Sequence, residues 1–77
     1  MKYRVDTVEL RKEMVSNGFL HNYQLANVSG VGKDTIGKIL SGHYNPSYIV
    51  IKKISSALSL SPSRAGEIFF AHNLPIA

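Results

Sequence analysis

The stretch LANVSGVGKDTIGKILSG, Leu25 to Gly42, decides the fold. It reads helix, glycine turn, helix. Leu25 and Ala26 face inward on the first helix, and Ala26 is small enough to let the next helix approach closely. Gly30 turns the chain where a Cβ would clash. Val31 and Ile36 plug the angle between the two helices, and Ile39 anchors the second helix to a core. Two glycines as close as Gly30 and Gly32 mark a turn and not a helix interior. What remains outward on the second helix is Lys33, Asp34, Thr35, Gly37 and Lys38.

Upstream, Leu10, Met14 and Val15 form an apolar stripe on a first helix over residues 6–17, with Arg11, Lys12 and Glu13 on its wet face. Asp6 or Thr7 caps it, and Gly18 lies where a left-handed C′ position favours glycine. After the connector Phe19-Leu20, His21 or Asn22 caps a helix over 22–28. The second helix of the turn runs over 33–41 and stops at Gly42. His43-Tyr44-Asn45-Pro46 is then a loop.

Downstream, Ser47 caps a helix over 47–58. Its Tyr48-Ile49-Val50-Ile51 run favours a strand locally. The helical spacing of Ile51, Ile54 and Leu58, with Ala57 beside them, outweighs that preference. Ser61-Pro62 pairs an N-cap serine with proline at the first helical position. It opens a fifth helix over 62–71 that turns Ala65, Ile68 and Phe69 inward. The chain thus reads as one all-α domain over 1–77, a compact bundle of about five short helices containing a helix-turn-helix.

Composition agrees. The hydrophobic fraction of 44% is that of a globular chain. A core in 77 residues supplies about 3–5 kcal/mol, and no cysteine is present to supplement it. No apolar run approaches the roughly 18 residues of a membrane span. Met1-Lys2-Tyr3-Arg4 leads into Asp6 and Glu9, not into an apolar signal segment. A cytoplasmic protein is expected. The net charge is +4, and the acids Asp6, Glu9 and Glu13 come early. From Met14 to Gly66 stand Lys33, Lys38, Lys52, Lys53 and Arg64 against Asp34 alone. A basic body suits a polyanion, though a solvated surface accounts for the same charges.

The pattern continues beyond the turn with Gly42, then Asn45-Pro46-Ser47, then Ile54, Ala57-Leu58 and Ser61. Over about residues 8–70 the chain resembles the phage Cro/repressor-type helix-turn-helix family, the lambda-repressor-like DNA-binding domains. It departs from that family at four places. Gly32 stands where a serine usually caps the reading helix, Asn22 replaces the usual glutamine, and Leu40 replaces a glutamate. The connector from Gly18 to Leu25 is one residue longer.

The resemblance implies double-stranded DNA as partner, read in the major groove. It places Lys33, Asp34, Thr35 and Lys38 against base edges, where lysine donates to guanine and aspartate accepts from cytosine. It places His21, Asn22, Ser41, His43, Tyr44 and Asn45 on the sugar-phosphate backbone. Taken singly, the two lysines also fit a solvated face, and Asp34 also fits as a complement to the positive helix N-terminus. Lys52 and Lys53 sit on a different helix and read better as solvated.

Other chemistries fit poorly. A phosphate loop needs a glycine at Asn27 and a serine or threonine at Asp34. His21, His43 and His72 lack metal-ligand spacing. The few carboxylates form no hydrolytic pair. No enzymatic activity, cofactor, metal or small-molecule ligand is expected.

Phe70, Leu74 and Ile76 have no evident burial. Either this tail folds back onto the first helix or it forms a dimer or partner surface. Two functions follow. One is a Cro-type transcription regulator in a genetic switch of a phage or mobile element in a bacterial host cell. The other is an antirepressor-like modulator that binds a partner repressor through its helix-turn-helix or its apolar tail.

Overall fold

A computed structural model describes residues 3–71. Five helices follow one another: α1 (Thr7–Ser16), α2 (Asn22–Ser29), α3 (Lys33–Leu40), α4 (Tyr48–Ala57) and α5 (Pro62–Phe69). All five lie where the sequence places them. Most boundary differences are cap residues: Asp6, Asn17, Ser41, Ser47 and Leu58 flank their helices without belonging to them.

The caps are those the sequence announces. The Asp6 carboxylate accepts from the Glu9 amide at 3.1 Å, so Asp6 and not Thr7 caps α1. Ser47 and Ser61 accept from Val50 and Arg64 at 3.3 and 3.1 Å. His21 holds the N-cap position of α2, with Asn22 as the first helical residue. The Gln24 carboxamide reaches back to accept from the Leu20 and His21 amides at 2.7 and 2.9 Å. Gly30 ends α2 at φ 77°, and its amide donates to the Ala26 carbonyl at 2.9 Å. This left-handed residue lets the chain reverse into α3; the expected clash is absent, since a Cβ there would meet open space, and it is the positive φ that calls for glycine.

Every helix sends side chains to one core. Leu10, Met14, Leu25, Ile36, Ile39, Ile54 and Ile68 are fully buried, with Val31, Leu58 and Phe69 around them. The packing is α2 on α3 and α4, α1 on α3 and α5, and α4 on α5. Val31, Ile36 and Ile39 plug the turn as expected.

Two expectations need correction. Val15 does not join the stripe with Leu10 and Met14; it is 52% exposed. At about 100° per residue, Val15 lies about 140° around the helix from Leu10, too far to share a narrow face. Val5 fills the core instead, from an extended segment before α1. The second correction concerns α5, which stops at Phe69 and not at residue 71. Ala71 pairs as an isolated antiparallel bridge with Arg4, whose amide donates to the Ala71 carbonyl at 2.7 Å. The Asp6 amide donates to the Ile68 carbonyl, also at 2.7 Å. The chain leaves the helix to make this pairing.

Candidate nucleic-acid interface

Burial of Ile36 and Ile39 fixes which side of α3 faces out. Lys33, Asp34 and Lys38 are exposed, and Thr35 and Gly37 are half-buried. Along this face runs an open concavity of about 440 Å³, lined by Asn22, Lys33, Asp34, Gly37, Lys38 and Ser41. It gathers three of the four residues expected to read bases and two of the six expected on the backbone. Thr35, His21, His43, Tyr44 and Asn45 lie outside its lining.

The helix that carries this face starts without a side-chain cap. Gly32 occupies the N-cap with φ −60° and ψ 144°, ordinary extended backbone. The first turn therefore has amide donors without a side-chain cap at the end of α3 that carries Lys33 and Asp34. At the other end the Ser41 hydroxyl donates to the Lys38 carbonyl at 2.6 Å and accepts from the His43 amide at 3.4 Å. Ser41 thereby closes the helix and shapes the loop that carries His43, Tyr44 and Asn45, all exposed. His21 is exposed and stacks on Tyr23, with ring centroids 5.5 Å apart and planes 10° from parallel.

Electrostatics sort the basic residues. Arg64, counted by sequence with the basic body, is committed to ion pairs within the protein. It meets Glu9 at 2.6 Å, Glu13 at 2.9 Å and Glu67 at 3.3 Å. These hydrogen bonds, that to Glu9 foremost, raise its pKa further above the usual arginine value. Arg64 and then Lys12 hold the Glu9 carboxyl below the ordinary glutamate range. Three of the five acids thus surround one arginine on α1 and α5. Lys33 and Lys38 form no ion pair among the described residues, so α3 keeps its positive charge. Lys52 and Lys53 are exposed on α4, away from the concavity.

Gly37 is the lining residue that sequence reasoning did not single out as functional. The available signal was a glycine inside an exposed helix, which costs about 1 kcal/mol relative to alanine. A Cβ built there would stand 3.6 Å from Asn22 Nδ2, so the absent side chain is part of what opens the concavity.

Phe70 is 47% exposed and meets Tyr3 edge-on, with centroids 5.6 Å apart. Its expected companions Leu74 and Ile76 lie outside the described residues, as does His72. No helix among the described residues is long and apolar enough to cross a membrane.

Comparison with known proteins bears on the whole arrangement. No curated protein and no solved structure matches the chain. A family model described as helix-turn-helix matches residues 10–64, well over half of the sequence. That span includes most of α1, all of α2 to α4, the glycine turn and every residue lining the concavity. The chain belongs to the helix-turn-helix family of the Cro/repressor type, whose members are DNA-binding transcription regulators.

Proposed function

We propose that this protein is a sequence-specific regulator of the Cro type that reads the major groove with α3. The observation that carries the reading is the shared concavity of Lys33, Asp34 and Lys38, whose lysines have no ion partner among the described residues. Lysine ammoniums match guanine O6 and N7, and the Asp34 carboxylate matches cytosine N4. Thr35 offers a hydroxyl or a methyl at the margin. His21, His43, Tyr44 and Asn45 flank the face as exposed groups suited to phosphates, which set register without reading sequence.

The described residues hold one helix-turn-helix and so one reading helix. A homodimer on a pseudo-palindrome, with half-sites about 34 Å apart, doubles the information read. Phe70, with Leu74 and Ile76, is the surface we assign to that contact. Occlusion of a promoter by such a dimer is the action we assign to it, in a genetic switch of a phage or mobile element.

A second reading rests on the same exposed Phe70 and Tyr3 pair: an antirepressor-like modulator that docks on a partner repressor. One experiment separates the two. The purified protein is titrated against duplex DNA from its own promoter region and, separately, against the product of the neighbouring regulatory gene. Site-selective DNA binding supports the first reading. Tight binding to the regulator, with DNA binding no better than to scrambled sequence, supports the second.

A further inference from the structure

Asn22 was grouped by family position with the phosphate contacts, yet it lines the reading face together with Lys33, Asp34 and Lys38. Its carboxamide lies beside the middle of α3, where the space that a Cβ of residue 37 would fill is 3.6 Å from Nδ2, an ordinary contact distance that leaves a base edge room only while the residue is glycine. Asn22 is half-buried, and its carboxamide has no hydrogen-bond partner among the described residues. The neighbouring hydroxyl of Ser41 is already engaged with the Lys38 carbonyl. Asn22 is therefore the neutral polar group of this concavity that is left to bond something from outside.

A carboxamide has one acceptor and one donor arm side by side. In the major groove that pair is complementary to adenine: Oδ1 accepts from the N6 amino group and Nδ2 donates to N7. A phosphate, which only accepts, would use the Nδ2 arm and leave Oδ1 facing negative oxygen. The two lysines and Asp34 cover guanine and cytosine, so an adenine reader is the complement the face lacks. We propose that Asn22 is a specificity-determining residue that reads an adenine, and that Gly37 is the opening through which the base edge reaches it. The inference rests on the DNA-reading function proposed above.

The test uses the full chain and a random-sequence duplex library. The enriched duplex is then remade with each adenine replaced in turn by 7-deazaadenine, which lacks the N7 acceptor. At one adenine per half-site the wild type should lose roughly 5-fold or more in affinity. Asn22→Ala should bind the unmodified duplex more weakly and be indifferent to that replacement. Gly37→Ala, which suits a helix and meets no clash in the free protein, should also lose the adenine preference while keeping the preferences set by Lys33 and Lys38. If Asn22→Ala remains as sensitive to 7-deazaadenine as the wild type, or weakens every duplex equally, the inference is overturned. If the wild type enriches no sequence at all, the DNA-reading function fails first and this inference with it.

Discussion

Arg64 Nη2 lies 2.6 Å from Glu9 Oε1, joining α5 to α1 across 55 residues of sequence. Arg64 Nε meets Glu13 one turn further along α1, at 2.9 Å. Two glutamates at i and i+4 on α1 thus share one guanidinium from α5, and a planar fork suits such a shared contact. The pair is partly solvated, so its worth depends on pH and salt more than on burial.

Acid should therefore loosen the contact between the first and last helices. Glu9 has a lowered pKa in the folded chain, so its contribution is fully present above the ordinary glutamate value of 4.5. It is lost as pH falls through the lower folded value. Arg64 stays charged throughout this range and adds no pH dependence of its own. Thermal unfolding followed between pH 7 and pH 3 should show a fall in Tm that is smaller in Arg64→Gln and Glu9→Gln. Parallel curves for wild type and variants would contradict the assignment.

Backbone conformation separates two positions that composition does not. Gly30 has φ 77° with open space around the missing Cβ, and Ser59 has φ 54°. Gly30→Ala should destabilise by about 1 kcal/mol through the left-handed backbone alone. Ser59→Gly should stabilise by less than about 1 kcal/mol, since relief of strain is partly offset by glycine entropy. Urea unfolding midpoints check both. Equal tolerance of alanine at 30 would show that the turn is not held as described.

At Gly32 the expectation reverses. Its backbone is extended and its only close neighbour would be Thr35 Oγ1 at 4.0 Å. Gly32→Ser should supply the missing cap of α3 and stabilise by a few tenths of a kcal/mol. A loss of stability in the same urea assay would mean that a side chain is not accommodated there.

Ser55 Oγ is buried on α4 with no hydrogen-bond partner among the described residues. An unpaired buried hydroxyl costs about 1–3 kcal/mol. Ser55→Ala should accordingly raise stability by roughly 1 kcal/mol, read as a higher Tm without change in helical circular dichroism. A lower Tm would show that the hydroxyl is satisfied in solution.

The local parts of this molecule were legible in the sequence. Ser61-Pro62, Asp6, Ser47 and Gly30 act within one turn of chain, so their roles follow from residue type and spacing. The core of the turn was legible too, because Ile36 and Ile39 stand three residues apart on one face of a short helix and Val31 is the apolar residue of the turn itself. Val15 misled because a valine near the right spacing is not on the right side, and only packing decides which edge of a stripe is covered. The pairing of Arg4 with Ala71 and the committed state of Arg64 depend on residues far apart in sequence, and no local pattern encodes them. In the reading face, Lys33, Asp34 and Lys38 followed from the outward side of α3. The approach of Asn22 to Gly37 did not, since it depends on how α2 crosses α3.

Whether α3 reads DNA is decided by binding. The most direct test measures binding of the wild type and Lys38→Ala to promoter duplex and scrambled duplex over a series of salt concentrations. With α3 in the major groove, the wild type should prefer the promoter duplex, and log K should fall linearly with log salt. Lys38→Ala should lose about 1–3 kcal/mol on the promoter duplex and far less on the scrambled one. Equal wild-type affinity for both duplexes, with Lys38→Ala unchanged on either, would contradict that placement of α3.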